Sequence, residues 1–141
     1  VKSSIGIGML LYEGIGDTVR VSLSGDPVHE IHAAKAILKA AGARSFGPEV
    51  ITCPTCGRTR MDIEPIACEI EKKTSHMEDI DIKIAVMGCE VNGPGEAAEA
   101  DIGVACGSRS ATLFIKGEKV RKIKEDEIIE ELLLEIEDRF V

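Results

Sequence analysis

The sequence predicts an α/β fold, and three observations carry that expectation. Residues 18–23, 49–52, 82–87 and 101–106 are short runs, alternating or continuously apolar, with the length and β-branched content of strands. Longer segments between them repeat apolar residues at the helical period. The composition, 44% hydrophobic and 30% charged over 141 residues, is that of a folded globular chain of about one domain's length. With no Trp and only 3% aromatic residues, the core has to be Ile, Leu, Val and Ala. A membrane span is excluded, because no run of about 18 apolar residues exists. A net charge of −8 argues against a general nucleic-acid binder, which needs a basic surface. The chain starts at Val1 with neither Met nor a secretory pattern, which reads as a truncation rather than a processed end.

The elements follow in order. Residues 4–13 are expected as a helix, although Gly6 and Gly8 weaken it. As a parallel strand beside 18–23, this segment would leave too few residues for the crossover. Gly14-Ile15-Gly16 ends the helix. Residues 18–23 alternate, with Val19, Val21 and Leu23 on one face and Arg20 and Ser22 on the other. Asp26-Pro27 is an N-cap followed by a first-turn proline. It opens a helix with Val28, Ile31, Ala34, Ile37, Leu38 and Ala41 on its apolar face, and Gly42 just beyond its end. A single strand cannot make a sheet, so residues 1–43 read as a helix–strand–helix slice of a larger α/β structure.

Phe46-Gly47-Pro48 is the expected domain boundary. Beyond it, the strand 49–52 runs into Cys53. A helix is expected over about 61–73, with Met61, Ile66, Ala67 and Ile70 inward and Pro65 admissible only in a first turn or a kink. Residues 72–79 read as a polar loop. The strand 82–87 runs into Gly88-Cys89, and a short helix is expected at 96–100. The strand 101–106 precedes a hairpin of 111–116 and 119–123 around Gly117. A last helix, 125–139, turns Ile128, Ile129, Leu132, Leu133, Ile136 and Phe140 to one side.

Five cysteines, an odd number without a secretory signal, point to a reducing cytosol rather than a disulfide framework. Cys53-Pro-Thr-Cys56-Gly and Cys89 each follow directly from a strand. In an α/β domain strand ends converge on one sheet edge, so these three thiols can meet. Thiolates suit Zn²⁺ or an iron–sulfur cluster, and the glycines around them let backbone N–H groups approach cluster sulfides. The fourth ligand is open. Cys106 ends a strand and is a candidate, and with it the site could be structural zinc. Glu96, seven residues after Cys89, can fold back through Asn92-Gly93-Pro94-Gly95. Cys68 reads as a small core residue. His29 and His32 fit a solvated helix face, His76 carries no signal, and the acidic last helix reads as solvated and amphipathic. Gly14-Ile15-Gly16-Asp17 lacks the third glycine and the preceding strand of a dinucleotide fingerprint. Arg20 and Ser22 side by side suit a phosphate group, but from the residues alone an ion pair and a surface serine are the simpler reading.

The segments EGIGDTVRVSL (13–23), CPTCGR (53–58), VMGC (86–89), VNGPGEA (91–97) and ADIG (100–103) together resemble the C-terminal part of the 4-hydroxy-3-methylbut-2-enyl diphosphate synthase family. The likeness covers essentially the whole chain. It implies that residues 1–43 are the C-terminal remnant of a TIM barrel. Residues 47–141 would be a [4Fe-4S] cluster domain related to the cluster-bearing half of sulfite reductases. The cluster ligands would be Cys53, Cys56, Cys89 and Glu96. Asn92 would reach substrate, and Arg20 and Ser22 would contact its diphosphate, which reverses the simpler reading of that pair. The implied reaction is the reductive ring opening and dehydration of 2-C-methyl-D-erythritol 2,4-cyclodiphosphate in isoprenoid biosynthesis. Ferredoxin or flavodoxin would supply the electrons, and substrate oxygen would displace the catalytic Glu96 from iron. The full-length enzyme would be a cytoplasmic homodimer, and this part alone would be inactive. A ferredoxin-like electron-transfer module and a structural zinc domain are the rivals.

Overall fold

The computed structural model describes residues 1–141. They fall into two compact units, Val1–Phe46 and Gly47–Val141.

The first unit holds two helices, α1 (Lys2–Tyr12) and α2 (Pro27–Ala40). The Asp26 carboxylate accepts the Val28 N–H at 2.9 Å, which satisfies one of the free donors of α2's first turn. Two expectations fail here. Residues 18–23 form no strand and no other regular element. A strand is held by a neighbour's ladder, and no segment pairs with this one; the Leu23 N–H goes instead to the Glu30 carboxylate at 2.9 Å. The apolar face of α2 is also mostly uncovered, since only Ile37 is buried while Val28 and Ile31 stay exposed. Within this unit α2 packs against α1 and has no sheet beneath it.

The second unit is built on a five-stranded sheet of β1 (Glu49–Thr52), β2 (Lys83–Met87), β3 (Ile102–Cys106), β4 (Ser110–Ile115) and β5 (Glu118–Lys124), in that spatial order. β1, β2 and β3 are parallel, and β3, β4 and β5 antiparallel. The β4–β5 turn is Lys116-Gly117, both with positive φ (48° and 84°), as a two-residue hairpin turn of the twist-matched kind requires.

Alternate residues of β2 and β3 serve opposite faces. Ile84, Val86, Ile102 and Val104 join Ile70 of α3 (Glu64–Thr74) and Ile128, Leu132 and Ile136 of α5 (Ile128–Phe140) in the larger core. Ala85, Met87 and Ala105 face Ala97 of α4 (Gly93–Ala98) and Phe114. The connections β1–α3–β2 and β2–α4–β3 thus advance the sheet in one direction with their helices on opposite faces, so one of them has the rare left hand. α4 lies very close to the sheet: a Cβ on Gly103 would fall 2.8 Å from the Ala85 Cβ and 3.3 Å from that of Ala97.

Several boundaries move. α3 begins at Glu64, which puts Pro65 in its first turn, and continues through the expected loop to Thr74, whose hydroxyl donates to the Ile70 carbonyl at 2.8 Å. Cys68 is exposed, not in the core: with Ala67 and Ile70 inward, it stands about 100° further round the helix on the solvent side. α4 starts three residues early because Pro94 is acceptable in a first turn. α5 follows a single 3-10 turn (Glu125–Glu127). On its outer side Arg121 of β5 pairs with Glu131 and, at 2.5 Å, with Glu135, which also takes the Arg139 Nε–H at 2.6 Å.

Candidate metal-binding edge

Because β1, β2 and β3 run parallel, their carboxyl ends open on one edge of the sheet. Thr52 pairs with Val86 and Met87 with Ala105, so Cys53, one residue past β1, is level with Met87 at the end of β2 and, one strand further, with Ala105 near the end of β3. Cys89 follows two residues after β2, and Cys106 is the last residue of β3. One edge therefore receives three strand-end thiols, and Cys56 lies on the loop that leaves it.

Cys53 is half-buried and packs against both cores. Its Sγ accepts the Gly88 N–H at 3.3 Å. A Cβ on Gly88 would lie 2.9 Å from Thr59 Cγ2, 3.3 Å from Thr59 Oγ1 and 3.5 Å from Cys53 Sγ. Only glycine lets the loop after β1 close on the end of β2 this tightly. Two backbone bonds fix the closure: Thr59 N–H to the Cys56 carbonyl at 2.9 Å and Arg60 N–H to the Gly88 carbonyl at 2.8 Å.

The thiols differ in readiness to ionise. Cys89 is held below the usual 9.0 by hydrogen bonds from the N–H groups of Asn92, Gly93 and Val91, with the Arg58 charge assisting against burial. Cys106, fully buried among Leu113, Leu132 and their neighbours, is pushed up to about 12, first by burial and then by Cys53 and Glu125. Its side chain belongs to the larger core, whereas Cys53 lines the cleft at the edge.

Glu96 is exposed in the first turn of α4, and Asn92 is exposed just before it. Between α4 and β1 lies a cleft of about 300 Å³ lined by Cys53, Pro54, Met87, Glu96 and Glu99. Cys53 and Glu96 thus share one opening. Cys56 is exposed and Cys89 buried, and nowhere do three metal-ligating side chains surround one point. The structure brings the four residues to one edge without closing them into a ligand set. In kind they fit an iron–sulfur cluster: the donors are thiolates plus one carboxylate, N–H groups already serve the sulfurs of Cys53 and Cys89, and the cleft is larger than one ion needs.

Arg20 and Ser22 stand exposed on the first unit, on the side opposite the buried Val21. His29 and His32 share a face of α2 with their rings 6.5 Å apart, and His76 is exposed in its turn. Sequence reasoning did not single out Thr59, whose buried hydroxyl at the Cys53–Gly88 contact has no hydrogen-bond partner. A threonine just past a Cys-x-x-Cys-Gly-Arg loop gives no signal until the loop's fold against Gly88 is known.

A mixed α/β domain with a cysteine-bearing edge on its parallel strands, preceded in the chain by a helical unit, is the class these features define. The chain belongs to the GcpE family. Residues 49–138 match the GcpE protein C-terminal domain and residues 1–35 the GcpE TIM-barrel domain. Among similar proteins are those named 4-hydroxy-3-methylbut-2-en-1-yl diphosphate synthase (flavodoxin). The chain is 58% identical over 137 residues to that of Caldanaerobacter subterraneus subsp. tengcongensis, which takes in 97% of this chain and 38% of the relative. It is 57% identical over 137 residues to that of Clostridium perfringens, with 97% and 39% covered. For the Clostridium acetobutylicum protein the identity is 55% over 138 residues, with 98% and 39% covered. The chain therefore spans about two fifths of the length of these curated relatives. No helix is long and apolar enough to cross a membrane.

Proposed function

We propose that this chain is the cluster-bearing part of a 4-hydroxy-3-methylbut-2-enyl diphosphate synthase. The whole enzyme would open and dehydrate 2-C-methyl-D-erythritol 2,4-cyclodiphosphate reductively, for isoprenoid biosynthesis. The observation that carries this reading is the cleft shared by Cys53 and Glu96, with the Gly88 N–H already on the Cys53 sulfur. Cys53, Cys56, Cys89 and Glu96 would hold a [4Fe-4S] cluster. When bound, the cluster supplies electrons and a Lewis-acidic iron for C–O cleavage.

The side chains have separable roles. The three thiolates would anchor the cluster, and N–H donors at Cys53 and Cys89 would offset its negative charge. Glu96 would be its one oxygen donor among sulfurs, and so the exchangeable ligand of the set. Asn92, exposed beside it, orients the substrate by hydrogen bonding. Arg20 and Ser22 bind the diphosphate, the guanidinium by paired charge-assisted bonds and the hydroxyl as a neutral donor.

In the same reading residues 1–43 complete a TIM barrel, supported by the match over residues 1–35 and by the run at 18–23 that lacks a neighbour. Residues 47–141 form the cluster domain, whose fold we relate to the cluster-bearing half of sulfite reductases. The enzyme would work as a homodimer in the cytoplasm, where thiols stay reduced. The relatives' names point to flavodoxin as donor, and a ferredoxin would serve the same chemistry.

Anaerobic purification of the full-length enzyme, with iron and sulfide analysis and turnover assays, tests the proposal. The expected outcome is about four irons and four sulfides per chain, a Glu96→Gln variant that keeps the cluster, and a turnover lowered at least tenfold. Stoichiometric zinc without iron or sulfide would favour a structural zinc domain. Unchanged turnover in Glu96→Gln would overturn the assignment of Glu96, and a loaded protein with no turnover at all would favour a plain electron carrier.

A further inference from the structure

Thr59 is fixed by its own N–H on the Cys56 carbonyl and by the next residue's N–H on the Gly88 carbonyl. Its hydroxyl is withdrawn from solvent and has no hydrogen-bond partner. A buried donor left unpaired costs on the order of 1–3 kcal/mol, so such a group calls for an acceptor. Measured from a Cβ position on Gly88, Thr59 Oγ1 is 3.3 Å away and Cys53 Sγ 3.5 Å. The hydroxyl and the thiol therefore converge on one small space, kept open because residue 88 has no side chain. Gly88 spends its own N–H on the same sulfur, so a second donor there would complete a polar collar around one ligand.

We infer that Thr59 is a positioning residue that donates its hydroxyl proton to a sulfur of the loaded cluster, at the Cys53 corner, and thereby raises the cluster's reduction potential. This rests on the cluster reading above. The physical reason is charge: reduction adds an electron to a centre already negative through its thiolates, and a hydrogen bond to sulfur stabilises the more negative state. The apolar side of the same threonine, Cγ2, packs at the Gly88 position, so the residue seals the corner with its methyl while its hydroxyl serves the sulfur. Valine keeps that shape and loses the donor. Serine keeps the donor.

The test is a redox titration, followed by electron paramagnetic resonance, of the anaerobically loaded full-length enzyme as wild type, Thr59→Val, Thr59→Ala and Thr59→Ser. Val and Ala should each shift the midpoint potential downward, and Ser should restore it toward the wild-type value. Iron–sulfur stretching bands should also move on transfer to D₂O, and should move less in Val than in the wild type, since Val keeps only the N–H donors at Cys53 and Cys89. Potentials equal in all four proteins would overturn the inference, as would a downward shift in Ser equal to that in Val. If Val fails to load, the Ala and Ser pair decides by the same criterion. A wild-type enzyme that takes up no iron and sulfide overturns the cluster reading itself and this inference with it. That outcome differs from a loaded protein whose potential ignores residue 59.

Discussion

In the unit spanning residues 47–141, Ile70, Ile84, Ile102, Leu132 and Ile136 are completely withdrawn from solvent, whereas in the unit spanning residues 1–46, Ile5, Met9, Leu10, Val28 and Ile31 remain more than half exposed. The residue types are the same. The second unit has a sheet with helices on both faces, so every residue of β3, and all of β2 but Lys83, is buried whichever face it points to. The first has two helices and a run without a neighbour, and only Val21 and Ile37 among its large apolar residues are buried. Apolar pattern is thus a request for a partner surface, and burial depends on whether the fold supplies one.

Core truncation should break this comparison most sharply. Ile102→Ala is expected to cost about 2–5 kcal/mol, as buried large-to-small changes do, and Met9→Ala to stay within about 0.5 kcal/mol. Urea unfolding of both variants measures this, and equal costs would mean that the first unit has a core of its own.

A tighter probe is Gly103→Ala. Its new Cβ would fall 2.8 Å from the Ala85 Cβ and 3.0 Å from the Ala85 carbonyl oxygen, and both belong to the sheet. Overpacking of that kind should destabilise the second unit by about 1–3 kcal/mol. An unchanged urea midpoint would show that the β2–β3 pair takes up the added methyl without strain.

Asp26→Ala removes the cap from α2 and should weaken that helix by about 0.5–2 kcal/mol. Faster amide exchange in residues 28–31, with no change in exchange on β2 and β3, is the expected signature. Protection lost equally in both units would join what the structure separates.

The smallest effect is electrostatic. The Glu135 carboxyl is held below its ordinary 4.5, first by the hydrogen bond from Arg139 and then by that from Arg121. A depressed folded pKa makes the stabilisation complete above the unfolded value and removes it as pH falls through the folded one. The second unit should therefore lose a little thermal stability below about pH 4.5. Glu135→Gln should flatten that part of the profile, and an identical profile in the variant would show that the pairs contribute nothing.

Much of the second unit was legible from local pattern. The short apolar runs at 101–106 and 111–116, the turn at Gly117 and the four-residue spacing of Ile128, Leu132 and Ile136 are each local signals of the backbone's conformation. Cys68 is misjudged when read by residue type: small and apolar, it nonetheless stands about 100° from Ala67, off the face that Ala67 and Ile70 define. The run 18–23 has a strand's alternation but no neighbour, and a ladder is a property of two segments. At the candidate site, the strand-end placement of Cys53 and Cys89 followed from sequence, and Cys56 came with its motif. The different ionisation of Cys89 and Cys106 did not, since N–H direction and burial decide it.

What the sequence determined by itself, then, is the order and type of the elements of the second unit, and the set of thiols and the carboxylate that its loops carry. These rest on periodicity and turn chemistry, which act over a few residues. The tertiary structure alone decided that β1, β2 and β3 run parallel, so that three strand ends share one edge. It also decided that α3 and α4 take opposite faces, and that Gly88 admits Thr59 beside Cys53. Those arrangements join residues as far apart as Cys53 and Gly88, 35 positions along the chain. Only packing can choose among the pairings that local pattern leaves open.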